Sequence, residues 1–216
     1  ILGLGAGWFE PEHTAFGIEF GRGFGDRLAW LDESAAAIRG LLDGETVTSP
    51  DDGHYSLREA RLLPRPLQDR LPILIGGGGE QKTLRTVARY ADMWNWVGLE
   101  DLDRMRHKHA VFEQRCEEIG RDPVEIERSA FLSPVIRDTE EEAVAFFRTQ
   151  MEANRLSDDV MSDADIYLTT PERITELMIA WKEIGVTKFI VEVAAPFDEE
   201  TVERIAMDVR GWIEAA

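Results

Sequence analysis

The chain has 216 residues, of which 44 % are hydrophobic, and its 42 acidic side chains against 24 Lys and Arg give a net charge of −18. A field of this sign repels nucleic acid and anionic membranes, and no apolar run reaches the roughly 20 residues that cross a bilayer. The single cysteine, Cys116, excludes an internal disulfide and favours a reducing cytoplasm.

Apolar periodicity predicts that strands and helices alternate along the chain. In chain order the pattern gives a strand at 1–4, a helix at 26–42, a polar excursion at 45–66, a strand at 72–75, a helix at 80–90, a strand at 93–97, a helix at 99–119, a strand at 128–136, a helix at 139–155, an acidic loop at 156–165, a helix at 170–185, a strand at 189–193 and a helix at 198–213. Thr139 and Thr170 are typical helix N-caps, and Gly120 and Gly185 are typical stops.

The predicted strands are continuously apolar, which is typical of parallel strands covered on both faces. No repeat, low-complexity segment or linker divides the sequence, so residues 1–216 are predicted to form one α/β domain. A (β/α)8 barrel needs eight strand–helix units, and five are predicted here. The pattern leaves two alternatives, a barrel without three N-terminal units or a self-sufficient five-stranded α/β fold. The chain begins on a strand without Met, which indicates a fragment.

Two common nucleotide-binding motifs do not fit this sequence. In the segment GLGAGW at 3–8, a dinucleotide fingerprint would need a third glycine where Trp8 stands. It would also need a helix directly afterwards, where residues 10–12 are predicted to begin a loop. The segment GGGGEQKT at 76–83 has the wrong glycine-to-lysine spacing for a P-loop.

Four consecutive glycines, Gly76, Gly77, Gly78 and Gly79, stand between a predicted buried strand and a predicted helix. Because they lack Cβ atoms, their amides can approach an anionic oxygen closely, and the helix N-terminus adds positive potential. Lys82, in the first turn of that helix, adds charge. The run therefore predicts a site for phosphate or a similar anion, and the alternative is a tight strand-to-helix turn.

The loop after the first strand is the second candidate site. Gly5, Ala6 and Gly7 allow a ligand to approach closely, and Glu12 and His13 are the clustered acid and histidine near a strand end. Either side chain can move a proton or hydrogen-bond a cofactor edge, so both are candidate catalytic residues. The alternative is a solvated carboxylate and a locally packed ring.

The other histidines and the cysteine predict no metal site and no nucleophile. His107 and His109 lie two residues apart on a predicted helix and face different directions. His54 lies in the polar excursion, and Cys116 has no partner nearby in sequence. Trp94 is expected to be a core residue, with a pocket wall as the alternative.

Four stretches occur in a characteristic order: LGLGAGW at 2–8 with Glu12 and FG at 16–17, LPILIGG at 71–77, LRTVARYADMWN at 84–95, and TPERI at 170–174 before GV at 185–186. Together they resemble the luciferase-like monooxygenase superfamily, in particular its branch that depends on the deazaflavin coenzyme F-420. The resemblance implies a TIM-type (β/α)8 barrel of which about five units, strands four to eight, are present. Thr169 departs from the family pattern, which often has glycine there.

The resemblance also implies a site and an activity. The strand end at Gly76 to Gly79 would receive the cofactor phosphate, and the loop from Gly5 to Trp8, with Glu12, would line the ring cavity. The implied activity is hydride transfer between F-420 and a small organic substrate in a cytoplasmic enzyme, and paired barrels are common in the family. Two alternatives remain, an FMN-dependent, oxygen-using monooxygenase of the same superfamily and a non-catalytic truncated barrel or interaction module.

Overall fold

A computed structural model describes residues 1–97, 102–156 and 167–215. Its strands are β1 (Leu2–Leu4), β2 (Ile73–Gly76), β3 (Met93–Val97), β4 (Glu127–Leu132), β5 (Val135–Ile136), β6 (Leu168–Thr169) and β7 (Lys188–Val191). Its helices are α1 (Glu10–Phe16), α2 (Phe24–Leu42), α3 (Thr83–Tyr90), α4 (Leu102–Glu117), α5 (Glu140–Asn154), α6 (Pro171–Glu183), α7 (Glu199–Arg204) and α8 (Arg210–Ala215). The chain forms two compact units, a first unit of Ile1–Trp96 with Lys108–Arg128 and a second unit of Val97–His107 with Ser129–Ala216.

In the first unit β2 pairs in parallel with β1 on one side and with β3 on the other. Ile73 and Ile75 point to the same face of β2 and are completely buried, which contributes about 1.5–3 kcal/mol each. Helix α3 packs on α2 and buries Leu84 and Val87 one turn apart. The sequence prediction of parallel strands covered by helices is confirmed for this unit.

Asp92 anchors the edge at which β2 and β3 begin. Its carboxylate accepts hydrogen bonds from Arg39 Nη2 at 2.8 Å, Arg70 Nε at 2.6 Å and the Ile73 amide at 2.8 Å. Arg39 comes from α2, so one largely buried carboxylate joins the helix to two strand starts. Removing a partner from such a pair leaves a buried charge and costs about 3–5 kcal/mol. This edge of the sheet is therefore built for stability.

The excursion loop (residues 45–66), for which the sequence allows an irregular loop or a small hairpin, is irregular, with one antiparallel bridge between Val47 and Ala60. It is held to α2 by Glu33, whose carboxylate accepts the amides of His54 at 2.8 Å and Tyr55 at 2.9 Å. These charge-assisted bonds attach the middle of the loop to the helix.

In the second unit β4 pairs in parallel with β7, and β5 pairs in parallel with β6. The single strand predicted at 128–136 is wrong, because it divides into β4 and β5, and the two-residue β6 was not predicted. Thr139 caps α5 as expected: its hydroxyl accepts the Glu142 amide at 3.2 Å and its own amide donates to Glu142 at 3.3 Å.

Arg137 and Asp198 form a buried ion pair in the second unit. Arg137 Nη1 and Nη2 donate to the two carboxylate oxygens of Asp198, each at 3.0 Å, and the guanidinium lies 4.1 Å from the centre of the Phe146 ring. Asp198 also accepts from Thr201 Oγ1 at 2.6 Å and from the Thr201 amide at 3.2 Å, so it caps α7. The network joins the end of β5 to the start of α7.

Two further expectations need correction. The loop predicted to begin at residues 10–12 is instead helix α1, with Pro11 in its first turn and Gly17 as a left-handed C-cap. The helix predicted at 198–213 is interrupted by a π-helical segment, Ile205–Val209, between α7 and α8. The acidic loop predicted at 156–165 lies, apart from residue 156, outside the described residues. The single domain spanning residues 1–216 stays a prediction.

Candidate functional site

The register of the first three strands brings both glycine segments to one edge of the sheet. Leu4 is paired with Ile75, and Gly76 with Asn95. Because the strands are parallel and Leu4 is opposite Ile75, Gly5 leaves β1 at the level of Gly76, the last residue of β2. Ligands of α/β sheets bind at this carboxyl edge.

The four glycines of the run differ in how much room a side chain would have. Gly77 has a φ of +116°, which side chains rarely adopt, and a Cβ on Gly78 would lie 1.9 Å from Trp96 Cζ3. A Cβ on Gly79 would lie 2.8 Å from Thr83 Oγ1. A Cβ on Gly76 would meet nothing closer than the Leu4 carbonyl at 3.9 Å. Packing and backbone conformation therefore explain three of the glycines, and open space lies beside the fourth.

Three of the four carbonyls of the run accept hydrogen bonds from protein donors. Trp94 Nε1 donates to the Gly77 carbonyl at 2.8 Å, Lys108 Nζ to the Gly78 carbonyl at 3.0 Å, and the Leu84 amide to the Gly79 carbonyl at 3.0 Å. Within the described ranges the Gly78 and Gly79 amides donate to no protein acceptor. Two successive amides are thus left to bind an anion, just before α3.

Lys82 does not turn toward these amides. Its ammonium donates to the Gly25 carbonyl of α2 at 3.0 Å, and the residue stands immediately before α3 rather than inside its first turn. Lys82 is still the N-cap residue of α3, so it adds a positive charge near the start of that helix. A direct contact between Lys82 and a cofactor phosphate stays a prediction.

The loop after β1 is shaped by a residue that sequence patterns did not single out. Arg27, a buried residue of α2, donates from Nε to the Gly7 carbonyl at 3.1 Å and from Nη1 to the Phe20 carbonyl at 3.0 Å. Gly7 has a φ of +70° and no room for a side chain beside His13. Gly5 has no atom within 4 Å of where a Cβ would stand. The loop is therefore fixed at Gly7 and open at Gly5.

Glu12 and His13 both lie in α1, but in different surroundings. His13 Nδ1 is 3.0 Å from the Phe9 carbonyl, so Nδ1 carries a proton and Nε2 of the neutral ring is an acceptor. The His13 ring also packs edge-on to Phe20, with centroids 4.8 Å apart. Glu12 is exposed. The local packing foreseen as the alternative for His13 is present, and catalytic roles for both residues stay predictions.

The loop and α1 leave large aromatic side chains in solvent. Trp8 is 82 % exposed and Phe16 is 74 % exposed, and α1 buries none of its residues. Trp8 follows Gly7 directly and contacts Phe9, with ring centroids 5.2 Å apart. An aromatic wall beside a small-residue loop is a common lining of cofactor sites.

The remaining candidates are structural. Trp94 is 1 % exposed and stacks on Phe112 with centroids 5.0 Å apart, so it is the core residue that was expected. His109 is buried beside Arg128, with Nδ1 3.1 Å from its Nη1, and burial raises the pKa of the buried Cys116 thiol. In the described parts of the chain, no group of acidic, histidine and cysteine side chains can hold a metal ion. Within the same parts, no helix is long and apolar enough to cross a membrane.

These features define a class of α/β protein in which parallel strands alternate with helices and the first two strands carry small-residue loops at their carboxyl ends. The family described as luciferase-like monooxygenase matches residues 1–188. The chain belongs to this family, and the fold class predicted from the sequence is confirmed.

Solved structures with related folds cover 98 % of this chain. An F-420-dependent secondary alcohol dehydrogenase, in complex with an F-420–acetone adduct, overlaps with a TM-score of 0.76 at 19 % identity over 68 % of its own chain. The F-420-dependent tetrahydromethanopterin reductase of Methanopyrus kandleri overlaps at 0.67 and 18 % identity over 73 % of its chain. The monooxygenase RslO1 of Streptomyces bottropensis overlaps at 0.71 and 18 % identity over 66 % of its chain.

Among curated relatives, an uncharacterized protein of Mycobacterium tuberculosis is 32 % identical over 94 residues. The matched segment is 43 % of this chain and spans about a third, 31 %, of the length of that relative.

Proposed function

We propose that this chain forms the phosphate side and part of the ring side of a flavin-type cofactor site. The function that this site supports is hydride transfer between the deazaflavin coenzyme F-420 and a small organic substrate. Two observations carry the proposal. Within the described residues the Gly78 and Gly79 amides donate to no protein acceptor, and open space lies beside Gly76 and Gly5 at the same sheet edge. Family membership supports the same conclusion.

The residues present suit such a cofactor. A phosphate oxygen can accept charge-assisted hydrogen bonds from the Gly78 and Gly79 amides, and Gly76 leaves space in which a planar group can approach the backbone. Ala6 and the exposed Trp8 extend that wall. The cofactor, when bound, would supply the hydride chemistry, and the chain would supply position and exclusion of water.

Glu12 and His13 are the candidates for proton movement beside that ring. Because Nδ1 of His13 is committed to the Phe9 carbonyl, its Nε2 atom is the one that can accept a proton. Glu12 is solvent-exposed and its carboxylate is available to a substrate that enters from solvent.

FMN with oxygen as the oxidant is the second candidate, favoured by the overlap with a monooxygenase at a TM-score of 0.71. The amides bind the phosphate of either cofactor. The two enzymes in the comparison that are named for F-420 lead us to place that coenzyme first. Pairing of two copies of the chain stays a prediction.

Substitution of Gly76 by Ala tests the site. Among the described residues, the atom nearest to the added methyl group is the Leu4 carbonyl oxygen at 3.9 Å, so the melting temperature is expected to stay unchanged. If a cofactor occupies that space, the methyl group overpacks it at about 1–3 kcal/mol, or roughly 5- to 150-fold in affinity. Fluorescence titration with F-420 and with FMN measures this loss.

The matched control is Gly23→Ala, because Gly23 precedes α2 and likewise has nothing within 4 Å of an added Cβ. Its cofactor affinity should equal that of the unmodified chain. A chain that binds neither F-420 nor FMN would refute the proposed function. Equal affinity in Gly76→Ala and the unmodified chain would refute this location for the cofactor.

A further inference from the structure

We infer that Trp94 and Lys108 are positioning residues that aim the Gly78 and Gly79 amides at the anion. The inference rests on the proposed function for its ligand. It adds two side chains that touch neither the cofactor nor the substrate but decide which way the binding amides point.

The direction of the amides follows from peptide geometry. In a planar trans peptide the carbonyl and the next N–H point in opposite directions, and no cis peptide occurs in the run. Trp94 Nε1 holds the Gly77 carbonyl at 2.8 Å, so the Gly78 N–H points away from Trp94. Lys108 Nζ holds the Gly78 carbonyl at 3.0 Å, so the Gly79 N–H points away from Lys108.

Both donors lie on the same side of the glycine run. Trp94 stacks on Phe112 of α4, and Lys108 lies one turn earlier on the same helix. The Lys108 ammonium lies 4.4 Å from the centre of the Trp96 ring, and that ring meets the Trp94 ring edge-on at 5.7 Å. Consecutive carbonyls therefore face one aromatic cluster, and the two amides both face the opposite side.

This arrangement assigns a distinct amide to each donor. Trp94 controls Gly78 and Lys108 controls Gly79, because each side chain holds the carbonyl of the preceding residue. Loss of either donor frees one peptide to rotate, and glycine permits that rotation at little steric cost. An oxygen bound by both amides would then keep only one well-directed hydrogen bond.

Trp94→Phe and Lys108→Met remove each donor while they keep most of the packing. Titration of the 15N-labelled chain with inorganic phosphate should shift both the Gly78 and the Gly79 amide resonance. Trp94→Phe should diminish the phosphate-dependent shift of Gly78, and Lys108→Met that of Gly79. Lys108→Arg restores a cationic donor and should recover the Gly79 response.

The second measurement separates positioning from general support of the loop. FMN affinity should fall about 3- to 10-fold in each variant, as expected for one misdirected hydrogen bond, whereas riboflavin, which lacks the phosphate, should bind as before. The control Lys182→Met removes a lysine that also donates to a backbone carbonyl, that of Ile213 at 3.1 Å, in the second unit. It should leave both affinities unchanged.

The outcomes distinguish the two proposals. If phosphate shifts neither amide in the unmodified chain, or if both variants respond as the unmodified chain does, the positioning role is overturned. Equal losses of FMN and riboflavin affinity would also overturn it, because they indicate loop packing alone. If phosphate shifts both amides but neither F-420 nor FMN binds, the positioning role stands and the proposed redox function fails.

Discussion

Substitution of Asp198 by Asn tests the buried network of the second unit. The change keeps the shape of the side chain and removes its charge. Arg137, whose side chain is 9 % exposed, then keeps one charged partner among the described residues, the half-exposed Glu200, 3.3 Å from its Nε. We expect the second unit to lose stability because a guanidinium cannot leave the protein interior without unfolding it.

The size of the effect follows from the contacts. Breaking a buried ion pair costs about 3–5 kcal/mol, and the amide oxygen of Asn keeps one acceptor that returns about 1 kcal/mol. The net loss is about 3 kcal/mol, and for a chain of this length it lowers the melting temperature by about 6–12 °C. Arg137 is held twice by Asp198, so the Arg137–Asp198 pair dominates this estimate.

Thermal unfolding followed by circular dichroism measures the shift. The matched control is Glu214→Gln, which removes a carboxylate that pairs with Arg210 at 2.8 Å on the surface. Its melting temperature should match that of the unmodified chain. If Asp198→Asn melts within a degree or two of the control, the reasoning about the buried pair is refuted.

Three further outcomes are expected. Burial alone would raise the pKa of Asp198, but the hydrogen bonds from Arg137 and Thr201 outweigh burial and hold the pKa below its usual value. The ionised Asp198 therefore contributes its full stability above about pH 4, and this contribution is lost as the pH falls further. Acid unfolding of Asp198→Asn should lack this pH-dependent loss of stability. Thr139→Ala removes the cap of α5 and should cost about 1 kcal/mol in a urea titration, whereas Thr139→Ser, which keeps the hydroxyl, should cost much less. Gly78→Ala places a Cβ 1.9 Å from Trp96 Cζ3 and should destabilise the first unit by about 1–3 kcal/mol; in a double-mutant cycle Trp96→Leu should relieve part of that loss, and strict additivity would contradict the clash.

The long elements of the fold were predictable from sequence, and the short ones were not. Helices α2, α5 and α6 carry apolar spacing over several turns, and α5 and α6 also have recognisable N-caps, so their positions were predicted within a few residues. Strands β5 and β6 have two residues each, too few for any periodicity. Helix α1 buries no side chain, so its sequence has no apolar periodicity from which the helix could be predicted. Its left-handed C-cap at Gly17 was the available signal.

For the candidate site, the position of the glycine run was predictable and its surroundings were not. A buried strand followed by four glycines indicates a strand end from local sequence alone. The donors that orient the run are 17 residues away for Trp94 and 30 residues away for Lys108. Their contacts depend on how α4 packs beside β3, which no local pattern encodes. Arg27 was missed for the same reason, since its carbonyl partner is 20 residues away.

Glu33 attaches the excursion loop through backbone amides, so this attachment does not depend on the side chains of the loop. Part of its attachment to α2 is the Glu33 carboxylate bound to the backbone amides of His54 and Tyr55, and those two hydrogen bonds do not depend on which side chains occupy these positions. The His54 ring adds a side-chain contact, because it stacks on Trp30 of α2 with centroids 3.9 Å apart. Together with the bridge between Val47 and Ala60, the backbone contacts to Glu33 allow other side chains of the loop to be replaced while the loop stays attached. New sequences can therefore be grafted between these anchor points without a change in the strands that carry the glycine loops.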